Sequence, residues 1–341
     1  MSEHPGFVVE RSTRLSAGAG IAATAAVAVL AFGPLWFSAN IVDSLTTLFI
    51  YLILAAMWNA LAGYAGLVSV GQQAFFGLGA YFAIQLSYHG LGVYPALLVG
   101  ATLAGLLSLP ISLLMLRLRG GEFAIGMWVV AELAHLLVAL DPLINGETGV
   151  SLIALNTFSP DLRRAYNYWM ALAAAVLLLA AVFLLLRGRL GASVQAIRDD
   201  ENAAESIGVR VLAGKRTIFF LAAFGCALAG SLYLATSISF QPRQYFGIQW
   251  TAYMIFMVLV GGLGTFEGPI VGAVIFFLIE YFFGQTGVWY LIGLGAAAIV
   301  FALFLPRGLW GTLEDRFGIR ILPVGYMLRL TRPEAKPPDK A

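Results

Sequence analysis

The sequence has few charged residues, one cysteine and little histidine. Only 11% of its 341 residues are charged, and a single cysteine, Cys226, excludes both a disulfide framework and a thiolate metal cluster. The three histidines, His4, His89 and His135, are too scattered for a metal triad, and no His-Glu-x-x-His pattern or nucleophilic triad occurs. We therefore predict no metal site, no catalytic residues and no enzymatic activity.

Apolar sequence, by contrast, is abundant. Hydrophobic residues make up 60% of the chain, and the mean hydropathy is +0.87. Several runs of about 20 residues carry almost no charge, which is the length that crosses the hydrocarbon core of a bilayer as a helix. Strands of a membrane β-barrel would instead be about 10 residues long, with alternating polarity. We predict an all-α polytopic membrane protein whose partner is the lipid bilayer and not a nucleic acid.

Ten spans fit the apolar runs. They lie at approximately 17–37, 41–62, 67–88, 93–117, 122–140, 166–186, 216–238, 248–263, 268–284 and 287–305. The predicted organisation is an N-terminal segment 1–16, a transmembrane domain 17–305 and a tail 306–341. The tail ends in RPEAKPPDKA, a polar and Pro-rich composition that predicts disorder.

The basic residues predict the orientation of these spans. With ten spans, four Lys/Arg before residue 120, six in 187–216 and seven after Pro306 fall on the side of both termini. The other side has only Arg163, Arg164 and Arg243. Since cytoplasmic loops are enriched in Lys and Arg, both termini are expected in the cytoplasm.

Polar residues inside the third and fifth runs are candidates for a transport role. The glycine-rich stretch 63–79 contains Gln72 and Gln73, and it fits either a broken helix lining a translocation path or ordinary small-residue packing. Glu132 and His135 lie three residues apart and share a helical face. They fit either a proton relay or substrate contact inside the bundle, or a buried, hydrogen-bonded pair that orients helices.

Three further features bear on the arrangement of the spans. A second glycine cluster, GGLGTFEG at 261–268, is predicted to turn between spans eight and nine, on the same side as the first. Asn59 is predicted to form a hydrogen bond to a neighbouring helix. The segment 141–165 is the predicted external loop, which fits either a dock for a soluble partner or a simple connection.

The segment 187–216, here called the charged segment, separates two long apolar runs and carries six Lys/Arg and four Asp/Glu. Good helix formers around Asp199, Asp200 and Glu201 predict either one amphipathic helix or two short ones, with Gly208 as the C-terminal cap. A modest apolar stripe is predicted along it at Val194, Ile197, Ala204 and Ile207.

The charged segment is predicted to dock on a soluble motor subunit. A helix lying on lipid usually has a basic polar face, which the central acids contradict. The stretch from Gly208 to Arg216 also fails as a phosphate-binding loop, because it has one residue too many between its glycines and Arg216 replaces the Ser or Thr that would hold magnesium. If ATP drives the protein, we expect another subunit to bind it.

Five ordered motifs resemble the permease subunits of branched-chain amino acid ABC importers, the LivM type, within a wider group that includes urea and short-amide permeases. The motifs are GYAGLVSVGQ from Gly63, Arg119-Gly120 with FAI at 123–125 and Glu132, AIRDDENAA from Ala196, VGGLG from Val260, and LPRGLW from Leu305. The resemblance covers about 54–310.

This resemblance implies a type II-like ABC importer permease fold in the bacterial inner membrane. It also implies a sister permease subunit, two ATPase subunits that bind ATP and Mg, and a periplasmic substrate-binding protein, with no cofactor on this chain. The loop between spans six and seven would dock on the ATPase. The residues that match the family's coupling motif are Ala196, Arg198, Asp199, Asp200, Glu201, Ala204 and Gly208.

The chain departs from the family pattern near its fifth span, where Gly121-Glu122 and Gly126-Met127-Trp128 replace the usual residues. We include Trp128 with Gln72, Gln73, Glu132 and His135 in the predicted translocation path. The predicted cargo is a branched-chain or related hydrophobic amino acid. The alternatives are urea, a short amide or another small solute, and a stand-alone secondary transporter is a further rival.

Overall fold

The structure, a computed structural model, describes residues 6–10, 14–317, 322, 324 and 327–331, and most of them are helical. The helices are α1 (Arg14–Ala31), α2 (Gly33–Trp36), α3 (Ala39–Asn59), α4 (Gln73–Tyr88), α5 (Val93–Met115), α6 (Gly121–Ala139), α7 (Pro160–Arg187), α8 (Arg189–Asp199), α9 (Glu201–Ser206), α10 (Val211–Ser237), α11 (Pro242–Tyr245), α12 (Gln249–Gly261), α13 (Gly268–Phe283), α14 (Val288–Phe304) and α15 (Gly308–Phe317). A π-helical turn, Ala60–Tyr64, continues α3. The predicted disorder of the Pro-rich end lies outside the described residues.

Two short antiparallel pairs are formed by β1 (Gly6–Glu10), β2 (Val150–Ser151), β3 (Ser239–Phe240) and β4 (Met327–Thr331). Strand β1 pairs with β4, from Gly6 opposite Thr331 to Glu10 opposite Met327. This pairing brings the two terminal regions of the chain together. Strand β2 pairs with β3 and ties two connecting segments to each other.

Helices occupy all ten regions where the apolar runs predict spans. Within the described residues, seven helical segments are long and apolar enough to cross a membrane: Ala39–Tyr64, Val93–Met115, Gly121–Ala139, Pro160–Arg187, Val211–Ser237, Gly268–Thr286 and Val288–Phe317. The helices in the first, third and eighth predicted regions are shorter. The membrane class is thereby confirmed, while the number ten stays a prediction.

Two of the shorter regions are interrupted by glycine or proline. The first predicted span breaks after Ala31, where Gly33 and Pro34 begin the separate helix α2. The third begins late, because α4 starts at Gln73 and the preceding residues 66–72 are not helical. Gly66 has φ +69°, which side-chain-bearing residues rarely adopt. The external loop is also shorter than predicted, since α7 already begins at Pro160, capped by the Ser159 hydroxyl.

The centre of the bundle consists of α3, α4, α5 and α10, whereas α14 is mostly exposed. Helices α4 and α10 cross at contacts between glycine and backbone. A Cβ on Gly79 would overlap the carbonyl oxygen of Ala227, and a Cβ on Gly230 would overlap that of Phe76. Small residues allow such close helix approach in membranes, where van der Waals packing replaces the hydrophobic effect as the driving force.

The two ends of the bundle differ in charge. We call the end with the charged segment, loop 116–120 and turn 262–267 the basic end. The opposite end carries the connections 89–92, 140–159 and 238–248. Contacts across each end support this assignment: Arg119 lies 3.8 Å from Glu201 at the basic end, and the Tyr88 hydroxyl donates to the Ser151 carbonyl at the opposite end.

Candidate functional site

The charged segment forms two helices, α8 and α9, which resolves the alternatives that its sequence left open. The chain turns at Asp200, whose backbone is extended (φ −156°, ψ 110°). Its Oδ1 accepts hydrogen bonds from the backbone N–H groups of Asn202 (2.9 Å) and Ala203 (3.0 Å). An aspartate in this position satisfies free N–H groups and places negative charge at the positive end of the helix dipole.

Helix α9 ends at the predicted glycine. Gly208 has φ +88°, its N–H donates to the Glu205 carbonyl (2.9 Å), and the N–H of Val209 donates to the Ala204 carbonyl (3.0 Å). This is the hydrogen-bond pattern of a glycine-terminated helix. Gly208 therefore defines where α9 ends, as its position in the sequence predicts.

The predicted apolar stripe is right for three residues and wrong for the fourth. Val194, Ile197 and Ala204 are buried, whereas Ile207 is 78% exposed. The break at Asp200 changes the direction of the second helix, so that helical spacing no longer extends from α8 to the end of α9. Ile207 is instead an apolar side chain on the free surface beside exposed acids.

Arg198 joins α8 to the first glycine cluster. Its Nη1 donates to the Gly63 carbonyl at 2.8 Å, while its Nε and Nη2 donate to Oδ1 of Asp199 at 3.1 and 2.9 Å. A Cβ on Gly66 would lie only 3.1 Å from Cγ of Arg198. The charged segment is thus bonded directly to the turn that ends α3 and precedes the non-helical residues 66–72. Ala196, half-buried on the same helix, accepts the Asp200 N–H.

Asn59 joins the first glycine cluster to the second. Its Oδ1 accepts from the Gly264 N–H and its Nδ2 donates to the Thr265 carbonyl, both at 2.8 Å. The predicted hydrogen bond from Asn59 to a neighbouring helix is therefore made to the turn between α12 and α13. Both glycine clusters lie at the basic end, within one continuous set of contacts with Arg198.

Glu201 connects α9 to two other parts of the basic end. Its Oε2 accepts from Nζ of Lys215 at 2.7 Å, and its Oε1 lies 3.8 Å from Nη2 of Arg119. The Lys215 side chain is only 7% exposed. Removing one partner of a buried pair leaves the other charge uncompensated, which is costly. Lys215, the lysine of the stretch that does not match a phosphate-binding loop, therefore pairs with Glu201 of α9.

The adjacent glutamines lie at the break before α4, and both are buried. Oε1 of Gln73 accepts from the Thr251 hydroxyl on α12. In the part of the chain that the structure describes, neither amide atom of Gln72 has a hydrogen-bond partner. Burying an amide without a partner is unfavourable, so the Gln72 amide is available to a polar group that reaches it.

Glu132 and His135 form part of a cluster at the opposite end. The Nδ1 of His135 lies 3.3 Å from Glu132, and its Nε2 lies 2.8 Å from Glu147. The side chain of Glu132 is 59% exposed, so it lies on the surface of the chain and not inside it. The predicted pairing of the two residues is confirmed, whereas the predicted burial is wrong for Glu132, because its side chain is on an exposed face of α6. Trp128, on the same helix, is half exposed.

Glu147 was not singled out by its sequence pattern. It lies in a 3-10 turn (Gly146–Thr148), and besides His135 it accepts the backbone N–H of Arg243 at 3.0 Å. The ring of Phe246 stacks on His135 with centroids 5.9 Å apart. The only local signal in the sequence was an unusual run of polar residues and glycines around Glu147. Its contact with Arg243 joins residues 96 positions apart, which local sequence does not reveal.

Comparisons with known proteins indicate the family of the chain. The family model described as "Branched-chain amino acid transport system / permease component" matches residues 40–310. The chain is 28% identical over 303 residues to the high-affinity branched-chain amino acid transport system permease protein LivM of Escherichia coli (strain K12). It is 30% identical over 307 residues to the protein of the same name from Salmonella typhimurium (strain LT2). Each alignment covers 81% of this chain and 71% of the relative.

Among solved structures, an inward-facing conformation of an ABC transporter assigned to the metal-chelate type aligns with a TM-score of 0.46 at 16% identity. The alignment covers 87% of this chain and 98% of that chain.

Proposed function

This chain belongs to the family of permease components of branched-chain amino acid transport systems, and from that membership we propose that it is the membrane subunit of an ATP-driven importer for branched-chain or related hydrophobic amino acids. The observation that carries the proposal is the bonded route from the charged segment through Arg198 to Gly63. Such a route gives a docking element mechanical access to the interior of the bundle. The cargo is supported by the names of the relatives.

The proposed arrangement is a type II-like permease of ten spans in the bacterial cytoplasmic membrane, with the basic end inside. The excess of Lys and Arg at that end supports the orientation. The pairing of β1 with β4 supports an even number of crossings, because it holds the two terminal regions together.

The proposed partners are a sister permease, two ATPase subunits that bind ATP and Mg, and a periplasmic substrate-binding protein. The exposed surface of α8 and α9 suits a docking role because it combines acidic groups with an apolar side chain. Asp199, Asp200 and Ile207 are all exposed there. ATP binding in the partners would shift the permease between inward- and outward-facing states, since a ligand changes such an equilibrium only through its different affinity for the two states.

The translocation path is proposed to follow the break before α4 and the exposed face of α6. Gln72 and Gln73 supply polar groups at the break. Trp128, Glu132 and His135 lie on α6, whose surface would face the sister permease in the assembled transporter. Polar groups at membrane depth are expected beside protein or water and not beside lipid.

Reconstitution tests the function directly. The chain would be expressed with the other proteins of its transporter, purified from membranes and placed in liposomes with ATP inside or outside. We expect ATPase subunits to copurify and leucine uptake to require hydrolysable ATP. Uptake of urea in place of leucine would show that urea is the cargo. Gradient-driven uptake by the chain alone would contradict the ATP-driven mechanism.

Reversing the charge at Asp200 tests the docking surface. We expect D200R to insert normally but to lower ATP-dependent uptake by roughly tenfold, since complementary charges set productive docking between proteins. D200A is the matched control, because alanine removes the helix cap as arginine does but adds no positive charge. Wild-type uptake by D200R would show that this surface does not receive the ATPase.

A further inference from the structure

A cleft opens at the opposite end of the bundle, between the α11–α12 segment and α14. Its volume is about 740 Å³, within the range of small-molecule sites. The lining residues farthest from that end, Tyr253 and Gly295, lie one to two helical turns from the starts of α12 and α14. At 1.5 Å per residue, the cleft extends about 10 Å along the bundle.

The mouth of the cleft is polar and cationic, with no acidic residue among those that line it. Arg243 and three primary amides, Gln241, Gln244 and Gln249, stand at its entrance. The Arg243 guanidinium makes no hydrogen bond or ion pair to any residue that the structure describes. A guanidinium binds a carboxylate through two parallel hydrogen bonds, and amide oxygens accept from an ammonium group.

The part of the cleft farther from that end is apolar. Tyr253 of α12 faces Leu291 and Leu294 of α14 across it. Beside them, Gly295 adds open space, since no heavy atom lies within 4 Å of where its Cβ would be. A ligand that enters the cleft therefore meets charge and amides first and an apolar wall behind them.

The backbone that carries Arg243 is held in place. Its N–H donates to Oε2 of Glu147 at 3.0 Å, and Glu147 is itself bonded to His135. The flanking residues Pro242 and Tyr245 are buried. A cation on a fixed backbone binds its ligand with less loss of conformational entropy than one on a free loop.

We propose that this cleft recognises the zwitterion of an α-amino acid with an apolar side chain, with Arg243 binding the carboxylate. The glutamine oxygens accept from the α-ammonium group, and Leu291 and Leu294 contact the side chain. This inference rests on the proposed function and deepens it, since it assigns a recognition site to the permease itself.

An anionic phospholipid is the competing ligand, because its phosphate would also suit Arg243. Its acyl chains, however, extend roughly 15 Å across half of the hydrocarbon core, so they would run past a cleft that is about 10 Å long. The three amides also suit a ligand that both donates and accepts hydrogen bonds. The amino acid therefore fits better.

The test is photolabelling of the assembled transporter in lipid nanodiscs by a leucine analogue that carries a diazirine in its side chain. We expect peptides containing Tyr253, Leu291 or Leu294 to be labelled. Leucine should compete with the label, whereas leucinamide, which lacks the carboxylate, should not. Nanodiscs of phosphatidylcholine alone and with phosphatidylglycerol separate the two ligands, since loss of the label only with the anionic lipid would identify a lipid site and overturn the proposal.

Substitution at Arg243 completes the test. R243Q is expected to weaken labelling about tenfold or more, because hydrogen bonds to charged groups are the stronger class, and R243K to weaken it less. R163Q, which removes another cation of the same end, is expected to label as the wild type does. Unchanged labelling in R243Q would overturn the inference about the cleft, and the proposed function would still stand if ATP-dependent leucine uptake is observed. If the wild-type transporter shows no ATP-dependent leucine uptake, the proposed function itself is rejected.

Discussion

Replacing Arg198 by alanine is expected to lower ATP-dependent uptake about 10- to 150-fold, because hydrogen bonds to a charged group contribute roughly 1.5–3 kcal/mol each. The bond from Nη1 to the Gly63 carbonyl is the direct link between α8 and the end of α3. Without it, α8 can still dock but no longer holds the turn. ATP hydrolysis in the partners should therefore persist while transport falls.

The measurement is the ratio of leucine transported to ATP hydrolysed in proteoliposomes. R189A is the matched control, since Arg189 begins the same helix, is exposed, and makes no side-chain bond to the described residues. R198K is expected to recover part of the ratio, because lysine keeps the charge but lacks the planar fork that serves both Gly63 and Asp199. A normal ratio in R198A would show that force does not pass through this bond.

The positions of the helices could be predicted from sequence because apolar runs of sufficient length leave few alternatives in a bilayer. In a membrane the backbone must satisfy its own hydrogen bonds, so each run becomes a helix wherever its composition allows. The exceptions lie where glycine permits other backbone geometry. In the break before α4, Gly71 packs so closely on the Met127 carbonyl that a Cβ would overlap it. These two residues are distant in sequence, so the length of the break could not be predicted.

The charged segment shows which part of a site local sequence determines. The caps at Asp200 and Gly208 are local, so the residues themselves predict them. The choice between one helix and two was open, since the same acids suit both. The wrong prediction that Ile207 belongs to the apolar stripe followed from applying one continuous helical spacing to what are two separate helices.

The contacts that join the site to the bundle were beyond prediction from the sequence. Arg198 bonds a carbonyl 135 residues away, and Asn59 bonds a turn 205 residues away. Charge and polarity indicate that such residues need partners, but many carbonyls and turns would serve equally well. The arrangement of the helices selects one of them. Glu147 was missed for the same reason, because its role depends on His135 and Arg243 meeting it at the opposite end.

Alanine at Gly230 is expected to destabilise the protein by roughly 1–3 kcal/mol, the usual cost of overfilling a packed interior. The new Cβ would overlap the Phe76 carbonyl oxygen, and backbone has little freedom to move away. Alanine is the better helix former by about 1 kcal/mol, so the net loss measures how closely α4 and α10 must approach. Transport should fall as well, because these helices form the centre of the bundle.

Cys226 provides the readout for this substitution, since it is the only cysteine of the chain and is fully buried one turn from Gly230. A thiol-reactive fluorophore added to the purified chain reports unfolding as that thiol becomes exposed. We expect the midpoint temperature of unfolding to fall by several degrees in G230A. G293A is the control, because Gly293 lies inside α14 with no heavy atom within 4 Å of its Cβ position; its midpoint should stay the same or rise. Equal midpoints in the two variants would mean that α4 and α10 can separate enough to admit a methyl group, and that their close crossing is not what holds the bundle together.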